Sequence, residues 1–208
     1  MSRLNETELA EIARTTLASY DGSAESFWQG TRDHDVSQNL DALLGAIAEE
    51  APLRILDFGC GPGRDLLALI ERGHRPVGLD GCEAFVRMAR ERSGVEVLHQ
   101  NFLSLDLPAE RFDGVFANAS LFHVPAQELP RVLAELYECL RPGGVLFASN
   151  PRGDNAAGWN RERYGVFHDF ERWREFAVGA GFTEIRHYYR PDGLPREQQP
   201  WLASLWRR

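Results

Sequence analysis

The chain has 208 residues, of which 43% are apolar and 26% are charged, and its net charge is −8. This composition is typical of a single globular domain and excludes a wholly disordered chain. The acidic balance excludes a general nucleic-acid binder, because phosphate contacts require a basic surface. We also expect no membrane partner and no secretory signal, because no apolar run approaches the roughly 20 residues that span a bilayer.

The cysteines indicate the redox compartment. There are three, Cys60, Cys82 and Cys139, and no two of them form a CxxC pair. An odd number without paired spacing is typical of a reducing cytoplasm and argues against a disulfide framework or a cysteine-based metal site. We therefore predict a cytoplasmic protein without a bound metal.

Two helices are predicted before the first strand. Asn5 and Glu8 form an N-terminal capping pattern, and a second capping pair, Asp35 and Gln38, predicts a helix over 36–49. The segment 21–35 between them has the composition of a turn-rich break. We interpret residues 1–50 as a helical cap on a core of residues 51–208. The apolar face of the first helix comprises Leu9, Ile12, Ala13, Thr16, Leu17 and Tyr20.

From residue 53 onwards, strands alternate with helices. The strands RILDF, PVGLD, VEVLH, FDGVFAN and VLFAS are nearly continuous in apolar character, which indicates a parallel sheet covered on both faces. The segment 150–165 is polar and rich in glycine, and we interpret it as a loop. The last two strands, FTEIRHYYR and PWLASLWRR, have no helix between them and predict an antiparallel hairpin at the sheet edge. The expected fold is a single α/β domain with a doubly wound, seven-stranded, mostly parallel sheet.

The turn after the first strand carries the main chemical signal. Asp57 stands directly before a glycine-rich turn that contains Gly59 and Gly61. Glycines there allow a tight turn and let a ligand approach the backbone. A carboxylate at this place would repel a pyrophosphate but suits a cationic amino group. Asp80 ends the second strand, where an acid can accept hydrogen bonds from ribose hydroxyls, and this feature fits NAD and S-adenosylmethionine equally well.

Three polar or aromatic positions follow the next strands. Asn101 can pair with an adenine edge or serve only as a turn residue, and Phe102 follows it in the same loop. Asn118 ends the fourth strand and either lines a ligand or caps the strand. His123 comes shortly after it, and the alternatives for this histidine are a place in the pocket or packing under the following helix.

An ordered set of motifs resembles the class I S-adenosylmethionine-dependent methyltransferases. The segments are ILDFGCGPG, the LD at 79–80, QNFLSLDLP, FDGVFANASLFHV and LRPGGVLFASN, which together span 53–150. The resemblance implies S-adenosylmethionine as cofactor. It also implies that Asp57 lies near the methionine amino group, that the glycines lie against the cofactor, that Asp80 binds ribose and that Asn101 faces adenine. Many members have Asp where this chain has Asn101.

The flanking segments resemble a narrower group, the methyltransferase domain of ovothiol synthesis. They are FWQGTRDHDVSQNLDALL, SNPRGDN, GWNRERYGVFHDF and HYYRPDGLPREQQPWLASLWRR. That domain methylates a ring nitrogen of 5-thiohistidine and is often the C-terminal part of an iron-dependent sulfoxide synthase. The resemblance therefore implies a small-molecule substrate and a sulfoxide synthase as functional partner.

The substrate would be held by polar residues of these flanking segments. A thiohistidine carries a carboxylate and an ammonium group, so its site needs a cation or an amide and an acidic partner. Arg161 and Asp33 are available but have the alternatives of a solvated charge and a helix cap. The predicted substrate-binding residues are Arg32, His34, Asn39, His123, Asn150, Arg152, Tyr164 and His168.

Three other functions remain open from the residues. One is methylation of another small amine, acid or thiol. The second is an NAD-dependent oxidoreductase, although Arg64 occupies the position where the dinucleotide fingerprint has a third glycine. The third is a binding module that keeps the fold without turnover, because fold alone does not decide function.

Overall fold

A computed structural model describes residues 3–208 of the chain. The helices are α1 (Glu6–Asp21), α2 (Ala24–Thr31), α3 (Ser37–Leu44), α4 (Arg64–Glu71), α5 (Glu83–Ser93), α6 (Leu129–Cys139) and α7 (Phe170–Gly179). The strands are β1 (Arg54–Phe58), β2 (Arg75–Asp80), β3 (Val97–His99), β4 (Phe112–Asn118), β5 (Leu140–Pro151), β6 (Ala156–Asn160), β7 (Arg163–Phe167), β8 (Thr183–Arg190) and β9 (Trp201–Arg207).

Seven of these strands form one sheet, as predicted. Their order is β3-β2-β1-β4-β5-β9-β8. The first five are parallel, and β9 pairs antiparallel with both β5 and β8. The C-terminal hairpin lies at the sheet edge as expected. The edge strand is β8, and the last strand, β9, lies between β8 and β5. Because β5 and β8 both run opposite to β9, the carboxyl end of β8 lies at the same edge of the sheet as those of the parallel strands.

The pleat of the sheet divides the core into two layers. Adjacent residues of a strand point to opposite faces. Ile55 therefore packs with α3 residues such as Leu43 on one face, whereas Leu56 packs with α6 residues such as Leu133 on the other. Trp173 of α7 belongs to the second layer and is almost completely buried. This two-sided covering explains why the strand sequences are nearly continuous in apolar residues.

The N-terminal region differs from the prediction in two respects. The break expected over 21–35 contains helix α2, because Phe27 packs its ring 5.1 Å from that of Phe85 on α5. Packing of this kind stabilises a short helix whose own propensity is modest. The capping box expected for α3 is absent, since Asp35 accepts a hydrogen bond from the Ser37 backbone nitrogen and Val36 is the N-cap. The capping box of Asn5 and Glu8 on α1 is confirmed.

The segment predicted as a loop at 150–165 contains part of a β-hairpin. Strands β6 and β7 pair with each other outside the main sheet. The Tyr164 backbone nitrogen donates a hydrogen bond to Thr16 Oγ1 of α1 at 3.1 Å. The hairpin is therefore held by contact with a helix that lies about 150 residues earlier, which local sequence does not reveal. The division of the chain at residue 50 stays a prediction.

Candidate functional site

A cavity of about 1000 Å³ lies at the carboxyl ends of the parallel strands. Ligand sites in proteins commonly enclose about 300 to 1000 Å³, so this one has room for a nucleoside-sized ligand and a second small molecule. Helices α1 and α2 cover it on one side. The β8–β9 connection lines it at the sheet edge.

The glycine turn forms a cradle for a ligand. Gly59 has a φ of +80° and Gly61 a φ of +53°, which side chains other than glycine rarely adopt. A Cβ placed on Gly59 would lie 2.4 Å from Ser120 Cβ. The Gly61 backbone nitrogen donates a hydrogen bond to Asp80 Oδ2 at 2.9 Å, and the Cys82 nitrogen donates to Oδ1. The turn and Asp80 are thus one rigid unit.

Asp80 lines the cavity at the end of β2 and is 8% exposed. Burial raises its pKa to about 6, although the backbone nitrogens that donate to it act in the opposite direction. The carboxylate is therefore ionised at neutral pH and can accept further hydrogen bonds. This geometry fits the ribose-binding role that the resemblance implies.

A group of buried carboxylates surrounds the glycine turn. Burial raises the pKa of Asp57 well above its usual range, and the carboxylates of Asp65 and Asp80 raise it further. Asp65 lines the cavity and is held by two hydrogen bonds from Arg64, at 2.6 and 2.9 Å. Arg64 pairs with Asp65, so the carboxylate of Asp80 leaves this end of the cavity negative. A cationic ligand is stabilised here, whereas a pyrophosphate is repelled.

Asp57 itself lies behind the cavity wall. It is 1% exposed, and its Oδ2 has no hydrogen-bond partner among residues 3–208. The Oγ of Ser120 on the cavity wall is also without a partner in the described chain. Unpaired buried acceptors of this kind are costly unless a ligand or a water donates to them. A cationic amino group in the cavity can donate to Ser120 Oγ, which fits the cofactor that the resemblance implies, whereas Asp57 is not among the lining residues.

Asn101 and Phe102 line the cavity beside Asp80. Asn101 Oδ1 accepts a hydrogen bond from the Leu103 nitrogen at 2.9 Å, so Asn101 stabilises the turn after β3. Its Nδ2 remains as the group that can donate to an adenine nitrogen. Phe102 stacks on Phe58 with the ring centroids 4.3 Å apart, which fixes it as an apolar wall.

Asn118 lies in the cavity wall, and its side chain is fixed by neighbouring polar groups. Asn39 Nδ2 donates to Asn118 Oδ1 at 3.0 Å, and Asn118 Nδ2 is 3.4 Å from Asp65 Oδ2. The Tyr188 hydroxyl donates to Asn39 Oδ1. Asn39 is completely buried and does not line the cavity, contrary to the predicted substrate role. It supports Asn118 instead.

A hydrogen-bonded chain crosses the cavity wall at His123. Its Nδ1 lies 2.6 Å from the Tyr164 carbonyl oxygen and its Nε2 lies 2.9 Å from the Tyr20 hydroxyl. Burial lowers the pKa of His123 to about 4, so the ring is neutral at pH 7. A carbonyl only accepts, so Nδ1 carries the proton, Nε2 accepts, and the Tyr20 hydroxyl donates. Toward a ligand in the cavity, the Tyr20 oxygen can therefore only accept. The Arg163 guanidinium, 3.9 Å from the centroid of the Tyr20 ring, is a cation that also acts on this hydroxyl.

Of the predicted substrate-binding residues, the structure brings His34 and His123 to the cavity. Arg32 follows α2 and pairs with Asp33 on the surface. Arg152 donates to the carbonyls of Arg196 and Gln199 and so holds the β8–β9 connection. Tyr164 does not line the cavity: its carbonyl accepts a hydrogen bond from His123, and its ring packs against Trp159. These residues support the site from outside it.

Asn150 and His168 lie together in a separate place. They line a small void beside Trp173 that does not join the main cavity. Neither ring nitrogen of His168, nor Asn150 Oδ1, has a hydrogen-bond partner among residues 3–208. Burial lowers the pKa of His168, so the ring is neutral. The expectation that these two residues contact substrate has no support in this geometry.

Sequence reasoning missed several cavity residues, among them Asp65, Ser120, Tyr20 and Arg190. The sequence pattern places Tyr20 on the apolar face of α1. The signal that identifies it is its hydroxyl, a polar group at the C-terminal end of that face. Arg190 ends β8, and nothing in its local sequence distinguishes it from other arginines. Both line the cavity.

Within residues 3–208, no group of three or more His, Cys, Asp or Glu side chains is arranged to hold a metal ion. In the same part of the chain, no helix is both long and apolar enough to cross a membrane.

Known proteins with similar sequences are methyltransferases. Residues 55–144 match the family model described as a methyltransferase domain. The chain is 29% identical over 201 residues to an uncharacterized methyltransferase of Geobacillus kaustophilus, covering 95% of this chain and 85% of that protein. It is 38% identical over 112 residues to a trans-aconitate 2-methyltransferase of Acidovorax sp. (strain JS42), covering 52% of this chain and 42% of that enzyme.

Solved structures share the fold. The 1,6-didemethyltoxoflavin-N1-methyltransferase of Burkholderia thailandensis, solved with 1,6-didemethyltoxoflavin and S-adenosylhomocysteine, superposes with a TM-score of 0.77 and 23% identity. The superposition covers all of this chain and 92% of that one. At this identity the likeness concerns the architecture.

Proposed function

We propose that this chain, which is an S-adenosylmethionine-dependent methyltransferase with the class I fold, methylates an imidazole ring nitrogen of 5-thiohistidine. S-adenosylmethionine, when bound, supplies a methyl group on a sulfonium, which a nitrogen lone pair takes up by in-line displacement. Asp80, Gly59, Gly61, Asn101 and Phe102 would hold it at the glycine-turn end. The substrate assignment is supported by the flanking segments that resemble the ovothiol methyltransferase domain.

The observation that carries the proposal is the fixed direction of the Tyr20 hydroxyl. Because Tyr20 donates to His123, its oxygen presents a lone pair to the cavity. An imidazole N–H can donate to that oxygen. This hydrogen bond selects the tautomer in which the other ring nitrogen carries the lone pair and is the nucleophile.

His123 acts by positioning Tyr20, not by storing a proton. With a pKa of about 4, protonation of His123 at pH 7 is unfavourable by about 4 kcal/mol. A neutral imidazole is already nucleophilic, so no strong base is needed. After methyl transfer, the proton on the second ring nitrogen of the imidazolium product passes to solvent.

The runner-up function is methylation of a small carboxylic acid, the reaction named in the trans-aconitate relative. A carboxylate has no proton to donate to Tyr20. It would place its own lone pairs against that oxygen, or draw the hydroxyl away from His123 and leave Nε2 unpaired. The direction of the hydroxyl therefore favours an N–H substrate. A protein of the same fold is, by its name, an N1-methyltransferase, which is consistent with a ring-nitrogen acceptor.

The test is a mass-spectrometric assay with S-adenosylmethionine and a panel of 5-thiohistidine, histidine and trans-aconitate. We expect a gain of one methyl group on 5-thiohistidine. Methylation of trans-aconitate alone would overturn the proposal in favour of the runner-up. If this chain alone methylates purified 5-thiohistidine, without an added sulfoxide synthase, the synthase is needed only to supply the substrate. A requirement for added synthase would make it a physical partner.

A further inference from the structure

Arg190 is a cation of the cavity wall, and the exposed Asp35 is close enough to attract it without a hydrogen bond to its Nε. It lines the cavity at the end of β8, and its Nε is fully buried with no hydrogen-bond partner among residues 3–208. Among the ion pairs of the described residues, none includes Arg190. A buried guanidinium nitrogen without an acceptor is unfavourable, so the chain gains stability when an anion docks there.

Arg190 lies far from the glycine turn. In the sheet order, β8 is five strand spacings from β2, which at about 4.8 Å each corresponds to about 24 Å. Both strands have their carboxyl ends at the same edge, so Asp80 and Arg190 face the two ends of one cavity. An anion on Arg190 is therefore part of a second ligand and not the ribose that Asp80 would bind.

The segment around Arg190 is held in place from outside. Arg152 Nη2 donates to the Arg196 carbonyl at 2.9 Å, and the Arg152 backbone nitrogen donates to the Pro200 carbonyl at 2.7 Å. Gln199 Nε2 donates to the Pro191 carbonyl at 2.9 Å. The β8–β9 connection thus fixes the start of the Arg190 side chain, as a recognition site requires.

The part of the cavity wall near Arg190, here called the rim, also carries negative charge. Asp33 and Asp35 line the cavity with Arg190. The pKa of Asp35 is lowered by hydrogen bonds from Ser37 and by attraction to Arg190 and Arg72, so its carboxylate is ionised at neutral pH. A ligand with several negative charges is repelled by these acids. A ligand with one carboxylate and one ammonium group is complementary to the rim.

We infer that Arg190 binds the carboxylate of the methyl acceptor and so makes the enzyme selective for an α-amino acid. The guanidinium can form two parallel hydrogen bonds to a carboxylate, a geometry that lysine does not reproduce. This inference rests on the proposed function only in its choice of 5-thiohistidine as the probe.

The experiment compares wild type, Arg190→Gln, Arg190→Lys and the control Arg186→Gln. Arg186 lies on the same strand, is exposed and does not line the cavity. Each variant is tested for methylation of 5-thiohistidine and of 5-thiohistamine, which lacks the carboxylate. Binding of histidine, which has one carboxylate and one ammonium group, and of S-adenosylmethionine is measured by calorimetry, and thermal melts check folding.

We expect Arg190→Gln to raise the KM for 5-thiohistidine about 10- to 100-fold, with little change in kcat. The KM for 5-thiohistamine and the affinity for S-adenosylmethionine should not change, Arg190→Lys should be intermediate, and Arg186→Gln should match wild type. A preference for the carboxylate that survives in Arg190→Gln would overturn the inference, as would a loss of S-adenosylmethionine affinity.

The two proposals can fail separately. If neither imidazole is methylated but histidine, which has one carboxylate and one ammonium group, binds only when Arg190 is present, the thiohistidine assignment fails and the carboxylate site stands. If the imidazoles are methylated equally well by wild type and Arg190→Gln, the thiohistidine assignment stands and the carboxylate site fails. If histidine binding is independent of Arg190 and no imidazole reacts, both fail.

Discussion

The glycine-turn end of the cavity and its Arg190 end are assembled in different ways. The first is built from 57–80, within one strand–helix–strand unit, and its hydrogen bonds join residues about 20 positions apart. The second is assembled from the end of β8 and the segment before α3, where Arg190 attracts Asp35 from about 155 positions further along the chain. A compact unit keeps its geometry when the rest of the chain changes, whereas a site assembled from distant segments can be altered one residue at a time.

The largest effect should come from Asp80 at the first end. Asp80→Ala removes the acceptor for two ribose hydroxyls, and hydrogen bonds to a charged group are worth about 1.5 to 3 kcal/mol each. We expect the Kd for S-adenosylmethionine to rise at least about 100-fold by calorimetry. The control is Asp41→Ala, since Asp41 is exposed and pairs with Arg72. Normal cofactor affinity in Asp80→Ala would show that the cofactor site is assigned wrongly.

The glycine turn should be nearly as sensitive. Gly59→Ala puts a Cβ against Ser120 and forces a positive φ on alanine, so we expect a loss of about 2 to 4 kcal/mol in the free energy of unfolding. Gly30 in α2 offers the matched control, because nothing lies within 4 Å of its added Cβ. Gly30→Ala should stabilise the chain by about 0.5 to 1 kcal/mol. Urea denaturation measures the free energy of unfolding of both variants. Equal effects would contradict the claim that the glycine turn has no room for a side chain at Gly59.

At His123, Tyr20→Phe keeps the ring contacts with Phe27 and Phe85 and removes the hydroxyl alone. We expect kcat for the imidazole substrate to fall about 10- to 100-fold while the Kd for S-adenosylmethionine stays unchanged. His123→Phe should have a similar effect through the lost direction of the Tyr20 hydroxyl. Unchanged kcat in Tyr20→Phe would remove Tyr20 from the mechanism.

The smallest expected effect is the pH dependence of S-adenosylmethionine affinity, which reports on the glycine-turn end alone in wild-type protein. Because the pKa of Asp80 is about 6, its protonated form increases as the pH falls through that value, and that form is a poor acceptor for two hydroxyls. We expect S-adenosylmethionine affinity to fall about tenfold per pH unit below about 6. In Asp80→Asn the inflection near pH 6 should vanish, and its persistence would assign the titration elsewhere.

The architecture was predicted from sequence because each strand carries its own signal. Two-sided burial makes a parallel strand a continuous apolar run, and the glycine turn and Asp80 follow directly from two such strands. The hairpin of β6 and β7 and the helix α2 were missed because contacts with α1 and α5 stabilise them. For the same reason Asn150, Arg152 and His168 looked like site residues but lie outside the main cavity.

By itself, the sequence determined the sheet, the place of the glycine turn and the acid at the end of β2, because these depend on local hydrophobic pattern and turn chemistry. The tertiary structure alone decided which polar side chains of the flanking segments share the cavity. Tyr20 acquires its direction from His123, and Arg190 acquires its place from the antiparallel turn of β9 back into the sheet. Those relations depend on packing between segments distant in the chain, which no local pattern encodes.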